Sequence, residues 1–283
     1  SDYIVSLTDG FSISLCFYYT FLEFNHNIKL VCAFHKLSDY DRKIPMFLKF
    51  IYRKLFSFII KRIDFIVFYG DADRLNSIRE FKIPEHKTHI IKFGVDTNFW
   101  SYKNNNSFCS NYLFSIGQDP SRDFETLLNV KTKKKIHIHT SLLEKKDDKN
   151  FRITNGSYNN SVDSFTDIEI RDLYQNSFAV IVPLKQVFQP SGYSVTLQAM
   201  ACGKPVILTH TKGLWAPNLF HNRENCILVK PSSESDIEDA IKLLESDFKL
   251  YKNISSNAIK TVNDYFSIDA ANHSTLELFN LFI

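Results

Sequence analysis

The sequence predicts an α/β fold built on parallel sheets, and three observations carry that prediction. Apolar, strand-like runs alternate with helix-like runs, which is the pattern of βαβ units. Residues 178–208 read as strand, polar loop, short helix and second strand, with Gly203-Lys204-Pro205 between the last two. At 283 residues and 44% hydrophobic content, the chain can bury a sizeable core and has the length of two compact units.

The elements follow in order. Residues 3–7 are a first apolar strand, 12–24 a helix, and 29–34 a second strand closing on His35. A long basic and aromatic stretch occupies residues 42–62, and 65–69 read as a buried strand. Residues 71–81 form a helix ended by Lys82-Ile83-Pro84, and 89–93 a short strand. The polar, Asn-rich run 101–110 is the best linker. A second unit opens with a strand at 112–116 and the loop Gly117-Gln118-Asp119-Pro120-Ser121-Arg122-Asp123, followed by a strand at 136–139, a helix at 167–174 and a strand at 178–184. A helix starting near Ser191 places Ser191, Ser194 and Gln198 on one face and leaves Val195, Leu197, Ala199 and Met200 to pack. Gly203 suits a left-handed helix end, and Lys204-Pro205 stops the helix.

Composition excludes several classes. Five cysteines, an odd number without CxxC spacing, argue against a disulfide framework and a zinc knuckle, and leave a reducing cytosol as the default. A net charge of +3 is too small to imply nucleic acid. There is no bilayer-spanning apolar run and no secretory signal pattern. The eight glycines include no GxGxxG, and no GxxxxGK is present, so dinucleotide and P-loop readings fail. His137 and His139 share one face of their strand; without a third ligand in view, an edge or half-exposed strand is favoured over a metal site. The lysine run 131–135 reads as a solvated loop.

In open α/β sheets, ligands sit outside the carboxyl ends of strands, where a helix N-terminus presents unpaired N–H groups to an anion. Ser191-Gly192 stands at such a place. Thr8, Asp9 and Gly10 end the first strand and could line the same cleft, although an ordinary turn explains them equally well.

Ala199 to Ile207, AMACGKPVI, is similar to the donor-binding helix of the retaining, two-domain GT-B glycosyltransferases of family 4 (glycosyl transferases group 1). Lys92 to Trp100, KFGVDTNFW, resembles the segment by which that family leaves its first domain, and Thr211 to Trp215 and Asn225 to Val229 resemble later segments. The resemblance implies two Rossmann-like parallel-sheet domains with a cleft between them. The chain opens on Ser1 directly into a strand, so the first domain is expected to be N-terminally incomplete. Residues 1–100 would be a partial, acceptor-side domain and 101–110 the linker. Residues 111–258 would be the nucleotide-sugar domain and 259–283 a helix returning to the first domain.

What the resemblance implies chemically is a retaining, metal-independent, hexosyltransferase-like enzyme of polysaccharide biosynthesis. It would move a sugar from a nucleotide-diphosphate-sugar donor to a glycan or lipid-linked acceptor, with no cofactor beyond that substrate and no nucleic acid partner. Residues 42–62 could lie on an anionic bilayer surface, giving a cytoplasmic protein peripheral to the inner face of a membrane; a first-domain helix with an aromatic core side and a solvated basic side explains them equally. Charge developing on the leaving phosphate needs cations and N–H groups. The family's Arg and Lys loop carries Gln118 and Arg122 here, which makes Arg122 the first candidate for the phosphates. His35 is the candidate that reaches the donor sugar from the first domain. Donor-binding candidates are Gly117, Gln118, Arg122, Gln189, Ser191, Gly192, Tyr193, Ser194 and Gln198. Two glutamates separated by seven residues mark the family; Pro190 and Gln198 stand in their places, and the Gln198 amide can still bond ribose hydroxyls. A sugar-nucleotide epimerase or phosphorylase of the same fold, or a non-catalytic nucleotide-sugar-binding or scaffolding chain, remain alternatives.

Overall fold

A computed structural model describes residues 3–21, 28–37, 39, 44–103, 107–155 and 164–280. Parts of four expectations fall outside these residues: the end of the first helix, Arg42 and Lys43, the middle of the linker, and the last three residues.

The first unit is a four-stranded parallel sheet in sequence order: β1 (Tyr3–Ser6), β2 (Lys29–Phe34), β3 (Phe65–Phe68) and β4 (Thr88–Ile90). The connecting helices are α1 (Asp9–Phe21), α2 (Met46–Ile60) and α3 (Asp71–Phe81). One face of the sheet presents Leu30, Cys32, Phe34, Ile66 and Phe68 to Cys16, Phe56, Ile59 and Phe81 of the helices. Strands buried in this way read as continuous apolar runs, which is why LVCAF and FIVF were visible in the sequence. Helix α3 ends where Lys82 turns left-handed at φ 55° before Pro84.

The second unit is a seven-stranded sheet ordered β11-β10-β9-β5-β6-β8-β7. Its strands are β5 (Tyr112–Ile116), β6 (Lys135–His139), β7 (Lys146–Asp147), β8 (Phe151–Thr154), β9 (Val180–Val182), β10 (Val206–Thr209) and β11 (Ile227–Val229). All pairings are parallel except β7 with β8. The chain builds outward from β5 through β6 to β8, then crosses back to lay β9 on the other side of β5. The strand order therefore reverses between β5 and β9, and that reversal opens a crevice at their carboxyl ends. Helices α4 (Phe124–Asn129), α5 (Asp167–Asn176), α6 (Tyr193–Ala201), α7 (Glu234–Ser246) and α8 (Phe248–Tyr265) cover the sheet. Together they enclose two apolar clusters, one around Phe114, Tyr174, Leu197 and Val206, the other around Leu113, Ile138, Ile207 and Ile254.

Several expectations are corrected. His137 and His139 lie on an interior strand between β5 and β8, 5% and 3% exposed, and both rings bond the Thr154 hydroxyl, at 3.1 and 2.9 Å. They are not on an edge, because β8, whose sequence FRIT gives little apolar signal, covers them. Lys134 is not simply solvated: its ammonium lies 2.6 Å from the Ser110 carbonyl and 4.2 Å over the Phe178 ring. Within the expected linker, Phe108 packs against Phe178, Phe248 and Tyr251. The C-terminal helical segment begins earlier than residue 259 and breaks after Tyr265, then resumes as α9 (Ile268–Asn280). At that break the Val95 N–H donates to the Phe266 carbonyl at 2.8 Å, and the Ile268 N–H donates to the Val95 carbonyl at 3.1 Å. Among the described residues no helix is long and apolar enough to cross a membrane.

Candidate functional site

A cavity of about 730 Å³ opens at the carboxyl ends of β1, β2, β5, β6 and β9 and is lined from both units. The catalytic and donor-binding candidates lie on its wall: His35, Gly117, Gln118, Arg122, Gln189, Ser191, Gly192, Tyr193, Ser194 and Gln198; of Thr8, Asp9 and Gly10, only Asp9 does.

The wall of the second unit is built by joining two loops. After β5 the chain turns through Asp119, whose carboxylate accepts from the Ser121 N–H at 2.7 Å and from the Gln189 amide at 3.3 Å. After β9 the other loop runs alongside. The Lys185 N–H donates to the Ser121 carbonyl at 2.8 Å, the Asp123 N–H to the Pro183 carbonyl at 3.1 Å, and the hydroxyls of Ser121 and Ser191 meet at 2.5 Å. Asp123 caps α4, accepting from the Thr126 N–H and hydroxyl at 3.2 and 2.8 Å.

Arg122 is therefore fixed at its backbone between the loops, and its residue is 6% exposed. Its guanidinium lies against two glycines. A Cβ on Gly117 would overlap the guanidinium, and one on Gly192 would lie 3.5 Å from Nη1 and 2.8 Å from Val182. Gly192 itself sits at φ 79°, in the left-handed region. That conformation starts α6 at Tyr193, two residues later than the sequence suggested, and leaves Ser191 outside the helix. Ser191, Ser194 and Gln198 still line one cavity. The first-turn N–H groups of α6 and the Arg122 cation thus converge, a combination suited to an anion.

Two polar candidates are oriented by neighbours. Gln118 turns its carbonyl oxygen to the Ser141 N–H and hydroxyl, both at 2.6 Å, and Gln198 accepts from the Tyr174 hydroxyl at 3.4 Å. Tyr193 packs on Phe93, with ring centroids 4.5 Å apart. Pro190, in place of the first family carboxylate, packs near Gly70 of the first unit, and the Gln189 N–H donates to Asp39 at 2.8 Å.

The first unit supplies Asp9, His35 and Lys36. Asp9 opens α1, and its carboxylate accepts from the N–H groups of His35 and Lys36 at 3.2 and 3.3 Å while lying 3.4 Å from His35 Nδ1. The His35 ring stacks on Tyr69, with centroids 4.3 Å apart. Burial pushes the Asp9 carboxyl up, but the bonds and charge of His35 and the Lys36 N–H outweigh it and hold the pKa below the usual carboxylate range. In sequence an ordinary turn explains Asp9 equally well; its side chain instead joins two strand ends. His139 and Phe165, also on the wall, pack at 4.5 Å between centroids and were missed as site residues, because His139 is placed by the pairing of β6 and Phe165 by the approach to α5. Among the described residues no group of three or more His, Cys, Asp or Glu is arranged to hold a metal ion.

Comparison with known proteins agrees with this architecture. Residues 144–261, which carry β9, the loop, α6 and the helices behind it, match the family model of the glycosyl transferases group 1. No curated protein matches the chain in sequence. Its fold is similar to that of Anabaena HepE in complex with UDP-glucose, at 15% identity and a TM-score of 0.77, covering 99% of this chain and 78% of that one. It is also similar to sucrose-phosphate synthase from Thermosynechococcus elongatus (16%, TM-score 0.70, 92% and 69%). A third is S. aureus TarM in complex with fondaparinux, alpha-GlcNAc-glycerol and UDP (15%, TM-score 0.67, 95% and 59%). At these identities the likeness establishes the fold: two Rossmann-like domains arranged as in GT-B glycosyltransferases.

Proposed function

We propose that the protein is a glycosyltransferase that takes its sugar from a nucleotide-diphosphate-sugar donor, belongs to the retaining family 4 type, and works without a metal ion. The observation that supports this most directly is the placement of Arg122, between Gly117 and Gly192 and beside the first turn of α6, in a cavity also lined by His35 of the other unit. An enzyme of this class must hold a diphosphate and stabilise the charge left on it as the sugar departs. A cation and aligned N–H groups, fixed in advance, do both without reorganisation. In this reading Arg122 and the turn Ser191 to Ser194 take the phosphates. Gln198 takes ribose hydroxyls, Gly117 and Gln118 flank the nucleoside side, and Gln189 and Tyr193 close the sugar end opposite His35.

The acceptor is proposed to be a glycan or a lipid-linked sugar, and the product to belong to polysaccharide biosynthesis. UDP is the first nucleotide to try, because HepE was solved with UDP-glucose and TarM with UDP.

Calorimetric titration with UDP, GDP and ADP tests the reading. Saturable binding of one nucleotide is expected, weakened about 100-fold in Arg122→Ala, since two charge-assisted hydrogen bonds are lost. A folded chain that binds none of the three would favour the non-catalytic scaffolding alternative.

A further inference from the structure

We infer that the outer face of α2 is a docking surface for an anionic lipid bilayer. The helix buries Phe56, Ile59 and Ile60 against the first sheet, which leaves the opposite side without cover among the described residues. That side is apolar: Met46 is 88% exposed, Phe47 80%, Phe50 76%, Ile51 63%, Leu55 50% and Phe58 52%. Positions 47, 51, 55 and 58, with Phe50 beside them, follow the spacing of one helix face, so these side chains form a stripe rather than a scatter, and Lys54 lies along it. Phe21 of α1 extends it, with its ring 6.5 Å from Phe58 and 4.7 Å from Phe17. Water-facing apolar stripes of this size mark an interaction surface.

Charge selects the partner. From Met46 to Arg62 the chain holds Lys49, Arg53, Lys54, Lys61 and Arg62 and no acidic residue. Arg53 is paired with Glu80, but Lys54, Lys61 and Arg62 are exposed along or just beyond the stripe. A second copy of the chain meeting this face about a two-fold axis would bring like charges together. A bilayer with anionic headgroups accepts both features: acyl chains take the phenylalanines and headgroups take the cations. At 15 residues α2 is about 22 Å long, too short to span the hydrocarbon core and suited to lying in the interface plane. Because α2 begins after the carboxyl end of β2, its Met46 end lies on the same side of the sheet as the cavity. Docking would hold the cavity mouth close to the membrane. The inference stands on this face and does not need the transferase reading.

The test is co-sedimentation of the full 283-residue chain with vesicles of phosphatidylcholine alone, or with about a third phosphatidylglycerol. The chain is expected to pellet with the anionic vesicles only and to be released by high salt. Phe47→Ser/Phe50→Ser/Ile51→Ser is expected to weaken partition at least ~10-fold, and Lys54→Glu/Lys61→Glu about fivefold or more per charge. All five positions are exposed, so both variants should keep the wild-type circular dichroism and melting temperature. The proposal is overturned if the wild type stays in the supernatant, if both variants pellet like the wild type, or if it forms a dimer that the triple variant abolishes. Nucleotide titration of the same variants should be unchanged, which separates failure here from failure of the donor site.

Discussion

The two walls of the cavity differ in how they are held and in what they can do. The wall of the second unit is set by bonds among buried groups: the Ser121 and Ser191 hydroxyls at 2.5 Å, the Thr140 hydroxyl on the Gly117 carbonyl at 2.7 Å, and the paired loops around Arg122. Its central group is a permanent cation. The wall of the first unit centres on His35, whose side chain is 32% exposed and is oriented by Asp9 below and Tyr69 beside it. One wall is built around a fixed charge, the other around an imidazole held by a carboxylate and a phenol ring. In the proposed reading one wall binds the donor and the other takes part in the chemistry, so changes in each wall should register in different measurements.

The strongest test crowds the gripping wall without touching a polar group. Gly117→Ala places a methyl where the Arg122 guanidinium lies, and the expected result is a loss of nucleotide affinity approaching that of Arg122→Ala, about 100-fold by calorimetry, in a chain that remains folded. Unchanged affinity would mean that the guanidinium has other room and does not define the site.

Behind the same wall, His137 provides a pH signature. Burial first, and then Arg152, lower its pKa to about 4 from 6.5. Between those values the unfolded chain binds a proton that the folded chain refuses, so stability falls as pH drops through this window and is full above it. The contribution is about 3 kcal/mol, read as a falling denaturation midpoint that flattens in His137→Gln.

On the wall of the first unit, Asp9→Asn removes the charge and keeps the shape. With an acceptor in hand, turnover should fall at least ~10-fold while the nucleotide Kd moves less than twofold, and the pH profile of kcat should shift. Because the folded pKa of Asp9 is lowered, its stabilising contribution is present above the ordinary carboxylate range and is lost as pH falls through the lowered value. Equal losses in Kd and kcat would erase the distinction between the walls. The smallest effect expected is from Gln198→Glu, which supplies the carboxylate of the resembled family: a gain of about twofold to fivefold in nucleotide affinity, roughly the net worth of one ordinary hydrogen bond.

Much of the architecture was legible, for identifiable reasons. Among the buried parallel strands, Leu30–Phe34 is an unbroken apolar run and Tyr112–Ile116 is interrupted only by Ser115, and α3 is bracketed by Gly70 and Pro84. Short strands carry no such run: Lys146–Asp147 is exposed, and Phe151–Thr154 turns only Phe151 and Ile153 into the core; missing them caused the misreading of His137 and His139. In the site, residues near AMACGKPVI could be named because helix and loop are contiguous in sequence. Asp9 could only be suggested, since its bond to His35 depends on β1 lying beside β2 in a particular register, Ser6 opposite Cys32.

The peptide crosses between the units more than once, and the crossings at Val95 and at Phe266–Ile268 run side by side, tied by two backbone hydrogen bonds. Across the molecule, Gln189 reaches Asp39 and Gly70 sits against Trp215. In mechanical terms the first pair joins the two crossings side by side and the second holds the units together beside the cavity, so the cavity mouth lies between two fixed points of contact.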